Sequence, residues 1–170
     1  DCVFSATEAK KMVEAWEAHP EYRWAAPGQI ELWRTPAWQV DRQRQMVSLH
    51  RGDLSLLSHS TEVTRPLTHS LPGRVHNLGF AVSAKTMRWK HLCALAFSPI
   101  VGESIPNPSW YEKKWLAWHP ETNNCDLEVS LGCEAGIVRA VPYDVAGLPA
   151  SILARYRAGE WAKTTSAEGL

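Results

Sequence analysis

Between residues 34 and 90 the chain carries nine basic side chains, Arg34, Arg42, Arg44, Arg51, Arg65, Arg74, Lys85, Arg88 and Lys90, against three acidic ones. Residues 1–33 hold three against six and residues 91–170 hold six against nine, so a formal net charge of zero conceals a middle segment at +6. Arginine outnumbers lysine seven to two there, and Trp33, Trp38 and Trp89 lie among the cations. Guanidinium forks suit phosphate oxygens, and indole faces suit stacked bases. The pattern points to nucleic acid as a partner; the plainer reading is a solvated sheet face with the indoles in the core. A second set, His119, Cys125 and Cys133 with His91 or Cys93, offers the imidazole and thiolate of a structural zinc site, but contains no Cys-x-x-Cys pair. Cys2 lies near the start of the chain, outside any motif that would make it a nucleophile.

The elements that hold these residues are read from periodicity. Ser5 and Glu8 have capping-box spacing, and Ala9, Met12, Val13 and Trp16 follow at i, i+3, i+4 and i+7 until His19-Pro20, which predicts a helix over 6–18. From Gln29 to Val82 the helical period is missing, and short β-prone runs stand between turn residues: Ile30–Trp33, Trp38–Val40, Met46–Leu49, Leu54–Leu57 and Leu78–Val82. They predict a small, mostly antiparallel β region. Lys90–Phe97 reads as a short buried helix, 98–109 as a loop and Trp115–Trp118 as a strand. Pro149–Ala158 reads as a helix packing by Ile152, Leu153 and Tyr156, with Pro in its first turn and Gly159 just past its end.

Five patterns occur in one order: Trp38 to Leu49; Gly79-Phe80 followed by Lys90–Phe97; Ile105–Pro108; His119 with Asn123-Asn124 and Asp126; and Gly147–Gly159. Together they resemble the phage and homing type of HNH (His-Me finger) endonuclease. Trp38, Val40, Val47, Ser48 and Leu49 match that family's N-terminal β module, and Lys90–Phe97 matches its helix, with Lys90 in a His column and His91 in an Arg column. The resemblance implies His119 as the general base and one Mg²⁺ held near Asn124, Asp126 or Glu134, the cation stabilising the departing oxygen. The position before the base, a ligand in the family, is Trp118 here, and an indole nitrogen has no lone pair for a hard cation. The site is therefore read as degenerate. Apart from the resemblance, His119 reads as a histidine in a Pro-ended turn and Asn123-Asn124 as a turn. The last pattern resembles the second half of a helix-turn-helix unit, with Ser151, Arg155 and Arg157 on its outer side, although Pro142 leaves Tyr143–Ala146 a poor first helix.

These readings predict an α+β protein: an N-terminal helix and linker over 1–28, a basic β module over 29–83, an HNH-like ββα-metal core over 84–136 and a C-terminal helical tail over 137–170. The expected function is nucleic-acid binding, to DNA or RNA, through Arg34, Arg42, Arg44, Arg51, Arg74, Lys85, Arg88, Lys90, Arg155 and Arg157, with hydrolysis lost. The alternatives are an active Mg²⁺-dependent nicking endonuclease and a structural subunit of a larger ribonucleoprotein assembly, which nine tryptophans would suit. No apolar run approaches the roughly 20 residues that cross a bilayer, no basic-then-apolar leader follows Asp1, and four cysteines are too few for a disulfide-stapled scaffold. A soluble protein of a reducing, intracellular compartment is the expectation.

Overall fold

The computed structural model describes residues 2–41, 44–45, 49–51, 69–97, 100, 107–122, 125–126 and 137–161. At the centre is β2 (Trp24–Trp33), which runs parallel to β6 (His69–Phe80) along one edge. Along its other edge it meets three antiparallel partners in succession, β3 (Thr35–Val40), β4 (Arg44–Gln45) and β5 (Leu49–His50). Outside β6 lies the short β1 (Cys2–Val3), and outside β3 lies β9 (Ala140–Pro142), giving the order β1-β6-β2-β3-β9. A separate two-stranded pair joins β7 (Cys125–Asp126) to β8 (Ile137–Val138). Helices α1 (Ala6–Ala18), α2 (Ala84–Phe97) and α3 (Ala150–Arg157) surround the sheet, so the α+β class holds. One sheet thus draws strands from residues 1–28, 29–83 and 137–170.

Both faces of β2 are buried, by different clusters. Trp33 packs with Phe80, Ala84, Met87, Trp110, Tyr111, Trp115, Trp118 and Cys125, while Leu32 packs with Ala81, Leu148, Ile152 and Trp161. A strand covered on both sides loses the polar-apolar alternation that marks a half-exposed one. The expectation of a mostly antiparallel region holds for the short pairings, but the longest pairing, β2 with β6, is parallel. The strand expected at Ile30–Trp33 begins six residues earlier, at Trp24, and the one expected at Leu78–Val82 ends at Phe80. Met46, Val47, Ser48 and the run Leu54–Leu57 lie outside the described residues.

The helices follow local rules more closely. Ser5 caps α1, its Oγ accepting from the Glu8 N–H at 3.1 Å, and Met12 carries the buried contact with β6. Gly73, at φ +108°, lets the two elements close, because a Cβ there would sit 2.9 Å from Met12 Cγ. Ser83 caps α2 through the Thr86 N–H at 3.0 Å. Pro149 precedes α3, Gly159 follows it at φ +73°, and Ile152, Leu153 and Tyr156 all pack in the second cluster, as the spacing required.

Two elements are corrected. Trp115–Trp118 is not a strand: Tyr111–Leu116 forms a π-helical turn, closed by the Ala117 N–H donating to the Glu112 carbonyl at 3.2 Å. Its aromatic side chains, β-prone in isolation, drive the turn inward instead, with Trp115 Nε1 donating to the Phe80 carbonyl and Tyr111 Oη to the Ala84 carbonyl. The helix at Lys90–Phe97 exists, but as the outer half of a longer α2, in which Ala84, Met87 and His91 alone are buried and Leu95 is half-buried.

Candidate nucleic-acid interface

Burial at Ala84, Met87 and His91, spaced i, i+3 and i+7, turns the opposite side of α2 outward. Lys85 and Arg88 are exposed there, and Trp89 between them and Leu92 is 68% exposed. The helix contains no acidic residue. Towards its C-terminal end α2 also exposes Leu92, at 49%, and Phe97, at 62%, and Ile100 just beyond it is 77% exposed. The exposed surface of α2 is thus cationic and aromatic towards its N-terminal half and apolar at and beyond its C-terminal end.

The remaining basic residues whose side chains are described belong to other elements or are engaged by neighbours. Arg34 sits half-buried with its guanidinium carbon 4.2 Å from the centre of the Trp115 ring, and burial lowers its pKa. Lys90 turns back to donate to the Gly79 carbonyl at 3.2 Å, and burial lowers its pKa as well. Arg51 lies over the Trp16 ring at 4.3 Å and donates to the Trp16 carbonyl, on the α1 side of the molecule. Arg74 donates its backbone N–H to Glu8 at 2.7 Å. On α3, Arg155 is held by Glu160 while Arg157 is exposed. Arg44 lies in β4 opposite Gln29, and Arg42 lies outside the described residues. Trp33 and Trp38 are also removed from the interface: Trp33 is wholly buried and Trp38 packs edge-on against Trp118 at 5.5 Å. Among the ten basic residues expected to touch nucleic acid, Lys85 and Arg88 share an exposed helical face with an exposed tryptophan, Trp89.

His119 occupies an exposed turn, its backbone carbonyl accepting from Thr122 Oγ1 at 2.7 Å and its Nδ1 accepting from the Glu121 N–H at 3.3 Å. The preceding Trp118 turns the opposite way, into the core, with its ring edge-on to Trp33 at 6.4 Å. Asn123, Asn124 and Glu134 lie outside the described residues, and Asp126 is described only by its backbone in β7. The described residues among those considered for zinc form no ligand cluster. Cys125 is fully buried, His91 meets the Pro108 carbonyl through Nε2 at 3.2 Å, and Cys133 lies outside the described residues. Among the described residues no three His, Cys, Asp or Glu side chains converge as metal ligands.

The C-terminal segment forms no helix-turn-helix among its described residues. A single 3-10 turn, Val145–Gly147, stands where the first helix would be, and α3 packs as a lone helix. No described helix is long and apolar enough to cross a membrane. Sequence reasoning missed Leu92, Phe97 and Ile100 as exposed residues. For Leu92 the signal was present, since extending the helix back to Ala84 places Met87 and His91 on the inward stripe and Leu92 off it. No family model, curated protein or solved structure matches the chain.

Proposed function

We propose that this chain is a nucleic-acid-binding protein without hydrolytic activity, and that it makes contact through the outer face of α2. The observation that carries the reading is the display of Lys85, Arg88 and Trp89 on one exposed side of a helix devoid of acidic residues. Lys85 and Arg88 stand one turn apart and reach neighbouring phosphates, while the adjacent open indole offers a stacking surface to an unpaired base. A single strand or a looped segment is therefore the favoured form. The non-hydrolytic part of the reading is supported by Trp118, whose indole packs against Trp33 and Trp38 and cannot supply the ligand that the resemblance places just before the general base.

Anisotropy titration of labelled single-stranded and duplex oligonucleotides against salt tests the proposal. Binding is expected to weaken as salt rises, and Lys85→Glu with Arg88→Glu should reduce the salt slope by about two counterions. Trp89→Ala should cost about 1–3 kcal/mol with single strands and less with duplex. Absence of binding at low salt, or indifference to all three substitutions, overturns the interface. Robust Mg²⁺- or Mn²⁺-dependent nicking that His119→Ala removes would overturn the non-hydrolytic part and restore the endonuclease reading.

A second reading, a subunit of a larger ribonucleoprotein assembly, is favoured by the exposed apolar side chains of Leu92, Phe97 and Ile100 at and beyond the C-terminal half of α2. Under it, Leu92→Ser and Phe97→Ser leave oligonucleotide affinity unchanged, because those side chains meet protein.

A further inference from the structure

A cavity of about 410 Å³ opens to solvent where β1, the β6–α2 corner, α3 and the turn at Trp161 meet. Its apolar lining comes from Val3, Leu78, Ala81 and the Trp161 indole, whose Nε1 donates to the Ala81 carbonyl at 2.9 Å. Its polar lining includes Ser83, Thr86, Arg155 and Glu160. Ser83 and Thr86 contribute hydroxyls 2.8 Å apart, and Arg155 lies with its guanidinium carbon 5.1 Å from the centre of the Trp161 ring. A concavity of this size, lined partly by apolar and partly by polar side chains, has room for a small amphipathic molecule.

We propose that this cavity binds a small monocarboxylate with an apolar or aromatic body. The sign of the ligand follows from what Arg155 already holds. Its Nε donates to Glu160 Oε2 at 2.7 Å and its Nη2 to Glu160 Oε1, a two-pronged grip on a carboxylate that lines the cavity. Both partners are substantially exposed, so solvent screens the pair, and a ligand carboxylate competes with Glu160 for the same two-pronged geometry. The incoming carboxylate also gains what Glu160 does not supply, an attached body that fills the space over Val3, Leu78 and Trp161 and leaves water. The hydroxyls of Ser83 and Thr86 then face the ligand's second oxygen. The first turn of α2 carries no acidic residue that would repel it. A cationic ligand would instead have to lie against Arg155. The inference is independent of the reading of the outer face of α2.

Titration of the full chain with phenylacetate, and with phenylacetamide as its uncharged counterpart, tests the proposal by calorimetry or by protein NMR shifts. Phenylacetate is expected to bind more tightly than the amide. Arg155→Gln should weaken phenylacetate on the order of tenfold, as loss of a charge-assisted pair does, and leave the amide alone. Glu160→Gln should have the opposite effect, tightening phenylacetate, because it removes the internal competitor. Val3→Phe, which fills the apolar part of the cavity, should weaken both compounds. Equal binding of acid and amide overturns the proposal, as does loss of phenylacetate binding in both Arg155→Gln and Glu160→Gln, the signature of a purely structural ion pair. Binding untouched by Val3→Phe places the ligand elsewhere and equally overturns it.

Discussion

Arg34 holds its guanidinium carbon 4.2 Å above the centre of the Trp115 ring, and this single contact withdraws the first cation of the basic segment from any phosphate. The residue sits in the turn between β2 and β3 with φ 61°, a left-handed backbone that costs a side-chain-bearing residue about 1–2 kcal/mol. Its Nη1 is buried and has no hydrogen-bond partner, so the indole face is the compensation its charge receives. Arg34→Ala keeps the unfavourable φ and loses the ring contact, whereas Arg34→Gly loses the contact but relaxes the backbone. Urea unfolding should therefore find Arg34→Gly more stable than Arg34→Ala by about 1 kcal/mol, and both less stable than the parent. Neither substitution should change affinity for an oligonucleotide.

His76, 2% exposed, shares a hydrogen bond of 2.7 Å between its Nε2 and Tyr143 Oη, while its Nδ1 is buried with no partner. Burial pushes its pKa below the ordinary value of 6.5, Arg74 lowers it further, and Glu8 opposes them more weakly. The unfolded chain therefore takes up this proton at a higher pH than the folded one does. The stability that the neutral ring contributes is fully present above about pH 6.5 and is lost as pH falls from there through the folded value. The urea midpoint of the parent should drop between pH 7.5 and pH 5 by more than that of His76→Phe. Equal slopes in the two proteins would show that this imidazole is not the titrating group.

How much of this was legible depends on where each element gets its stability. Helix α1 was readable because Ser5, Glu8 and Met12 act within a few residues of one another. The N-terminal half of β2 was not, because Ala25, Ala26, Pro27 and Gly28 have little strand preference of their own and are held by β6, more than 40 residues further on. Trp115 and Trp118 misled for the opposite reason: their β preference is real but was overruled by burial against Trp33, Phe80 and Trp110. At the candidate interface the residue types were legible and their grouping was not. Charge counting gives Arg34, Lys85, Arg88 and Lys90 equal weight, and only the direction of each side chain separates a buried guanidinium from an exposed one.

The orientation of α2 has a direct test. Met87 is fully buried against Trp33 and Trp110's cluster, while Trp89 and Leu92 point to solvent. Met87→Ala should cost about 2–5 kcal/mol, as removal of a core side chain does, and Trp89→Ala and Leu92→Ala should stay within about 0.5 kcal/mol of the parent. Leu95, half-buried on the flank, should fall between them. A reversed order, with Leu92 costly and Met87 neutral, would rotate the helix and take Lys85, Arg88 and Trp89 out of any interface.

The last expectation concerns Cys125, which lies at 0% exposure in the tryptophan-rich core. Burial, with the Glu31 carboxylate adding to it, pushes its thiol up to about 12. A thiol attacks as thiolate, so with its proton held this firmly and its side chain buried Cys125 is a poor nucleophile at neutral pH. Cys2, by contrast, is exposed and lines the cavity beside Val3. Brief treatment of the native protein with iodoacetamide at pH 8, followed by peptide mass spectrometry, should label Cys2 and leave Cys125 unmodified until denaturant is added. The same burial predicts that zinc will not protect Cys125 from labelling in urea-free buffer, since it is already protected. Rapid modification of Cys125 in the native state, slowed by added Zn²⁺, would instead require an accessible thiolate and would return the zinc reading of His119, Cys125 and Cys133 to consideration.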